Sequence, residues 1–291
     1  MDDFIHSSSF CFIAAYLLRR NLQVTVARQF AIIHRISKHL QEVIPLPIIY
    51  LSPSTQESNL FVNGGSEEFY MNKIADAMIP YLTASGIRYI RNTPQMTAAS
   101  SIAASNAGNY DLHVGLHSNA APDARYGTVR GSIVFYYPTS TQGRRAAEIM
   151  ANNLRSIYPI PSLVRAQAST TIGELRRTRA PAVFLEVAYH DNTNDATWIK
   201  NNIDPIAKNI VLSLTEYFNI PFLTPVPRRS GVVDVDYGRL NIRSQPNLDA
   251  PVIAQAYDGA ELSIINQWQN WYLVSYNGVI GYASQDYITL V

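Results

Sequence analysis

The apolar positions of this chain fall into blocks whose period switches between that of a strand and that of a helix. From Pro47 onward the blocks alternate. Residues 48–51 form a short apolar run that reads as a first strand. Ser66 then precedes Glu67 and Glu68, an N-cap followed by first-turn carboxylates. Behind them Ile74, Met78, Ile79 and Leu82 keep helical spacing, and Ser85 with Gly86 ends that helix. Further strands are expected at 87–91, 112–116, 132–137 and 183–186, and further helices at 97–107, 144–157 and 206–218. The order implies an α/β fold, a mostly parallel sheet with helices on both faces.

The pattern breaks at Asn219. Residues 220–231 hold three prolines and read as a semi-extended linker that keeps its neighbours apart. Beyond it lie only short strand-like runs, at 240–243, 252–254, 261–266, 271–275 and 280–283, with Gly259, Asn277 and Gly278 as turn residues. They predict a small all-β barrel with Leu240, Ile242, Val252 and Val274 facing inward. The expected organisation is an N-terminal segment at 1–46, an α/β domain at 47–219, the linker at 220–231 and the barrel at 232–291. In the N-terminal segment Phe10 to Leu18 is apolar but too short to span a bilayer, which takes roughly 20 residues. Asp2 and Asp3 precede that run and Arg19 and Arg20 follow it, the reverse of a secretory signal. Val24, Ala27, Ala31, Ile32 and Ile36 suit one face of an added helix.

Composition narrows the function classes. The formal net charge of +1 offers no strong electrostatic case for nucleic acid or an anionic membrane surface. The single cysteine, Cys11, rules out an intrachain disulfide and a cysteine zinc cluster. A metal in this chain must therefore use His, Asp, Glu or neutral oxygen donors.

Two strands end on groups that do chemistry. The apolar run Ala182 to Leu185 ends on Glu186, and the run from Leu112 ends on His117, followed by Ser118, Asn119 and Ala120. In open α/β sheets ligands bind beyond the carboxyl ends of the strands. Glu67, opening the helix after the first strand, belongs to the same edge, where the helix N-terminus adds positive potential. A hydrolytic metal site needs few protein ligands, an open water position and a base outside the ligand set. Glu67 and His117 suit the ligand role and Glu186 the role of base. His113 lies on the same strand face as His117 but deeper, the usual place of a hydrogen-bonded core histidine. A carboxylate closing an apolar strand is costly to bury without a partner, which favours a functional reading of Glu186.

These stretches resemble the zinc-dependent N-acetylmuramoyl-L-alanine amidases, bacterial cell-wall hydrolases. The matching residues are Gly65 to Glu68 with Met71 to Ala75, then His117 to Ala120, then Ala180 to Glu186, within roughly 47 to 219. The resemblance implies one zinc ion held by His, Glu and His, a catalytic glutamate, and cleavage of the amide between N-acetylmuramic acid and the L-alanine of the stem peptide. One departure stands out. The family's first histidine follows strand one in an Asp-Pro-Gly-His-Gly context, and here the chain reads Ser52, Pro53, Ser54, Thr55, Gln56. The third ligand is left open among Thr55, Gln56, His113 and His190, with the Gln56 amide oxygen as the working choice. Asn119 and Arg177 are candidate substrate contacts, the latter because stem peptides carry carboxylates that arginine holds well.

The C-terminal part resembles a bacterial SH3-like domain, on Gly238 to Pro246, Gly259, Trp271 to Val274, Gly281 to Ala283 and Tyr287. The resemblance implies binding to cell-wall peptide or glycan, with Trp268, Trp271, Tyr272 and Tyr282 as a candidate groove, although Trp271 also suits a barrel core. The expected protein is thus a monomeric peptidoglycan hydrolase, outside the cell or in the wall of a bacterium, with peptidoglycan as partner, no nucleic acid and no membrane span. No export signal is evident. The alternative is a catalytically weak or inactive wall-binding protein on an amidase fold, motivated by Thr55 and Gln56 where a histidine is expected.

Overall fold

The computed structural model describes residues 46–291, so the helix expected near the N-terminus lies outside the described residues. Six strands form the first sheet: β1 (Ile48–Pro53), β2 (Arg88–Arg91), β3 (Leu112–Asn119), β4 (Ser132–Tyr136), β5 (Val164–Ala168) and β6 (Ala182–Tyr189). Their order is β2-β1-β3-β6-β4-β5, which puts β3 and β6 in the middle. Four of the five neighbouring pairs are parallel, and only β4 with β6 is antiparallel. The mostly parallel α/β expectation therefore holds.

The helices are α1 (Glu67–Ala84), α2 (Ala98–Ala107), α3 (Thr141–Leu154), α4 (Gly173–Arg177), α5 (Thr193–Asn201) and α6 (Ile203–Phe218). Ser66 caps α1 by accepting from the Phe69 amide, and Thr97 caps α2 in a reciprocal box with Ser100. One sheet face is apolar: Leu51, Val114, Leu116, Val134 and Leu185 pack with Met71, Met78, Met150, Ile210 and Leu214 of α1, α3 and α6. The other face of β3 carries His113, Gly115 and His117 and lies under α2 and α4, whose Ser105 and Glu174 bond the histidines. This polar face holds the site.

The second sheet is all antiparallel and runs β13-β7-β10-β11-β12-β8-β9, built from β7 (Arg229–Val233), β8 (Arg239–Arg243), β9 (Val252–Tyr257), β10 (Glu261–Trp268), β11 (Trp271–Tyr276), β12 (Val279–Ser284) and β13 (Ile288–Leu290). Leu240, Ile242, Val274 and Ala283 fill its interior. Val252, expected inside, is on the surface at 36 % exposure, because a register shift between Ile242 and Arg243 turns the start of β9 outward.

The prolines do not hold the two parts apart. The Ser85 hydroxyl pins Leu223 by accepting from its amide and donating to its carbonyl. Leu46 packs with Ile265, Leu273 and Tyr282 of the barrel, against the end of α1. Gly86 adopts φ +77° there, which strains any other residue, and a Cβ on it would press Leu46 and Leu273 at 3.3 Å. A bulge between Ile264 and Asn266 re-aims Asn266, whose amide donates to the Thr224 carbonyl at 2.9 Å.

This packing alters the expected aromatic groove. Tyr282 is fully buried and Tyr272 is buried, while Trp268 is exposed and Trp271 half-buried. The open cavity of the barrel, about 480 Å³, is instead bordered by Tyr237, Leu248, Trp271 and Tyr287 with Arg239 and Arg243. Among the described residues the buried Tyr282 hydroxyl has no partner. Tyr282→Phe is expected to raise stability by about 1 kcal/mol, since it removes an unpaired buried polar group at constant shape. Denaturant unfolding of the two proteins checks this, and a loss above about 1 kcal/mol would reveal a hydroxyl partner.

Candidate active site

His117 and Glu186 stand opposite each other in register near the carboxyl ends of the two central strands. Paired positions of neighbouring strands point to one face, so both side chains project to the polar side of the sheet. Phe184, two residues before Glu186, stacks on the His117 ring with centroids 4.1 Å apart. The imidazole is thereby fixed in plane between two carboxylates. Its Nδ1 donates to Glu67 Oε1 at 2.8 Å and its Nε2 to Glu174 Oε1 at 3.3 Å.

Each carboxylate has further partners. Glu67, at the first turn of α1, also accepts from the Ser118 amide at 3.3 Å and from Asn59 Nδ2 at 2.6 Å. The same Asn59 nitrogen donates to Gln56 Oε1 at 2.9 Å. Glu174 Oε2 accepts from His113 Nε2 at 2.7 Å, and His113 Nδ1 accepts from the Ser105 hydroxyl at 2.9 Å. A polar chain therefore runs Ser105, His113, Glu174, His117, Glu67, Asn59, Gln56 from the interior to the surface. Thr55, Gln56, His117 and Glu174 border a cavity of about 430 Å³ that also touches Asn92 and Met96.

The charges follow from these contacts. Burial works against a cationic His117, but Glu174 and Glu67 outweigh it and push its pKa up to about 10. Burial likewise opposes the two carboxylates; His117 and Asn59 hold Glu67 below its usual value, and the two histidines hold Glu174 well below its own. Glu186 behaves in the opposite way. Its Oε2 is buried and, among the described residues, has no hydrogen-bond partner. Burial pushes its pKa up to about 8; His117 pulls it down less than that, and Glu67 adds to the rise.

A raised carboxyl pKa means stability that is fully present below the unfolded value and lost as pH climbs through the folded one. In chelator-treated protein the wild-type chain is therefore expected to lose stability relative to Glu186→Gln between about pH 4.5 and 8, by on the order of a few kcal/mol. Denaturant midpoints at pH 4 and pH 9 check it. Equal differences at the two pH values would mean that Glu186 ionises without cost.

The other candidates are placed as follows. Thr55 is half-buried and Gln56 exposed, linked to Glu67 through Asn59. His190 is buried and donates from Nδ1 to the Ser118 carbonyl at 3.1 Å. His113 is the hydrogen-bonded core histidine expected. Asn119 is half-buried beyond His117, with its side-chain oxygen on the Ala120 amide. Arg177 ends α4 with an exposed side chain folded back toward Gly173. Glu174 was not foreseen.

Two family models match the chain: N-acetylmuramoyl-L-alanine amidase over residues 54–216, and bacterial SH3 domain over residues 238–289. The chain belongs to the N-acetylmuramoyl-L-alanine amidase family. Solved structures share the amidase fold. N-acetylmuramoyl-L-alanine amidase AmiC2 of Nostoc punctiforme is 16 % identical with a TM-score of 0.52, over 60 % of this chain and 97 % of that one. The N-acetylmuramoyl-L-alanine amidase from Clostridium difficile 630 is 17 % identical, with a TM-score of 0.54 and coverage of 60 % and 97 %. Ami1 from Mycobacterium smegmatis is 19 % identical, with a TM-score of 0.53 and coverage of 60 % and 98 %. The comparison with curated proteins yields no match.

The amidase family is generally zinc-dependent, so the donor set matters. Glu67 and His117 offer a carboxylate oxygen and an imidazole nitrogen side by side, both good zinc donors. The other ring nitrogen rests on a carboxylate, the usual outer partner of a metal-binding histidine. By donor type this pair fits a metal. Among the described residues, however, no group of three or more His, Cys, Asp or Glu side chains is placed to hold one. Among the described residues, a further protein donor beside this pair would be a neutral oxygen.

Proposed function

We propose that the amidase domain hydrolyses the amide between N-acetylmuramic acid and the L-alanine of the stem peptide, with Glu186 as base and one zinc ion held by Glu67 and His117. The observation that carries this reading is the pairing of Glu186 with His117 at the carboxyl edge of the central strands. A bound zinc ion, held by Glu67 and His117, would supply Lewis acidity at the scissile carbonyl. Glu186 takes the proton of the attacking water through its unpartnered oxygen. It then returns that proton to the leaving nitrogen, so that the products are a lactyl carboxylate and a free amine. Phe184 and Glu174 hold the imidazole in place throughout. Gln56 offers its amide oxygen as the third donor, and Asn119 and Arg177 meet the substrate.

In the same reading residues 47–219 are the catalytic domain, 220–231 the connection and 232–291 the SH3-like domain. The latter holds peptidoglycan outside the cell or in the wall, which raises the effective substrate concentration. Among the described residues no helix is long and apolar enough to cross a membrane.

The test uses the purified full chain. Elemental analysis is expected to give about one zinc per chain, and dye release from labelled peptidoglycan to stop on chelation and return with zinc. Zinc without release, or release that ignores chelation, overturns the metal role; neither zinc nor release leaves a wall-binding protein. Gln56→His is expected to tighten zinc on the order of tenfold, about 1.4 kcal/mol, by replacing a weak neutral donor with imidazole. Competition with a chelating dye measures it. A gain from Thr55→His alone would move the third position to Thr55.

A further inference from the structure

We propose that Glu174 is a positioning residue for the reaction: together with His113 it fixes the orientation and tautomer of His117, so that Nδ1, on the Glu67 side, is the nitrogen presented to the metal. This rests on the reading that Glu67 and His117 hold one.

The local sequence builds the device. Glu174 is the second residue of the five-residue α4, and the Thr178 hydroxyl ties down its carbonyl at 2.6 Å. Its side chain is 5 % exposed and enters the space between two histidines on one strand. Gly115 lies between them on the same strand face and leaves that space open. A Cβ there would stand 3.1 Å from Glu174 Oε2 and 2.8 Å from Phe184 Cδ2, too close to both. An alanine would push the carboxylate off one histidine and the phenyl ring off the other.

The proton inventory then runs in one direction. An ionised carboxylate only accepts, so each histidine must present N–H to Glu174. His113 does so from Nε2 at 2.7 Å, and its Nδ1 is bonded to the Ser105 hydroxyl at 2.9 Å, so both ring nitrogens have partners. His117 donates from both nitrogens in the metal-free chain, to Glu67 from Nδ1 and to Glu174 from Nε2; a metal that displaced the Nδ1 proton would leave the Nε2 proton on Glu174. The His113 bond at 2.7 Å is the shorter of the two, so His113 anchors the carboxylate that aims His117. Tyr50 stacks on His113 at 14° and holds that anchor in turn.

The experiment compares wild type, Glu174→Gln and His113→Gln as full chains. Glu174→Gln keeps the shape but has an amide that donates as well as accepts, so it no longer selects one tautomer. The expected results are a zinc affinity 10 to 100 times weaker by dye competition and a fall in kcat with KM nearly unchanged. The ¹⁵N signals of His117 should show Nε2 protonated in wild type, with and without zinc, and Nε2 unprotonated in zinc-free Glu174→Gln, where Glu67 still holds the proton of Nδ1. His113→Gln is expected to show a smaller loss of the same kind. Zinc affinity within threefold of wild type in a folded Glu174→Gln, or a wild-type His117 that binds zinc through Nε2, overturns the proposal. If wild type takes up no zinc, the ligand reading of Glu67 and His117 falls. The zinc-free ¹⁵N spectra then decide the role of Glu174, an unmoved His117 Nε2 signal overturning it and a moved one supporting it. If Glu174→Gln does not fold, the wild-type spectrum and His113→Gln give the same decision.

Discussion

Glu186→Gln is expected to keep the fold and lose amide hydrolysis by a factor between about 10² and 10⁴, the usual worth of a positioned general base. The substitution conserves volume at a site enclosed by the central strands. It also removes a carboxylate whose burial is unfavourable, so stability is expected to rise, and lost activity cannot be assigned to unfolding. The amide cannot take a proton from water at any working pH. The loss should therefore fall on kcat, with KM for a short soluble muropeptide little changed and zinc content equal to wild type. Dye release and muropeptide kinetics in parallel measure it. Activity within a few-fold of wild type would place the base elsewhere.

How much of this was legible in the sequence differs from residue to residue, for physical reasons. Glu186 and His117 stood out because an apolar run closing on a charged or polar group has no packing explanation, and the structure pairs them in register. Glu67 was legible because Ser66 marks the start of α1, and the start of a helix after a first strand belongs to the sheet's carboxyl edge. Glu174 was not. It sits in a helix of five residues, too short for any period, beside a basic run that reads as a solvated face. Its partners lie 57 and 61 residues upstream, and only strand alternation on β3 could have suggested that Gly115 leaves room between two histidines. The run direction of β4 was equally invisible, since an apolar strand reads the same parallel or antiparallel.

The barrel illustrates a different limit. In β11 and β12 both strand faces are apolar, because Tyr272, Val274 and Ala283 fill the barrel while Leu273 and Tyr282 pack with Leu46 beside the end of α1. Alternation between polar and apolar positions, the usual guide to an exposed face, is absent there. Tyr272 and Tyr282, expected in an exposed aromatic groove, are consequently buried. The helix α1 carries Glu67 at its first turn and meets Asn266 at its last, where the Ala84 carbonyl accepts at 3.4 Å. Eighteen residues separate these ends by about 27 Å, so this contact with the barrel lies at the end of α1 opposite Glu67.

The second large effect is expected for His117→Ala. Among the described residues it removes the only side chain that bonds both Glu67 and Glu174, and it leaves two buried carboxylates facing a void. Breaking a buried ion pair from one side typically costs 3 to 5 kcal/mol, because the partner charge is left uncompensated. The pH dependence identifies the cause. The two carboxylates have lowered pKa values, so their part of the stability is present above about 4.5 and lost as pH falls through the folded values. His117 has a raised pKa, so its part is present below about 6.5 and lost as pH rises toward about 10. The gap between wild type and variant should therefore be widest between about pH 4.5 and 6.5, and narrow on both sides. Zinc content should fall at the same time, since one of two strong donors is gone. Urea unfolding of chelator-treated proteins from pH 3 to 10 gives the profile. A gap that does not vary with pH would mean that the variant loses only packing against Phe184, and that the charges of this cluster contribute nothing to holding the site together.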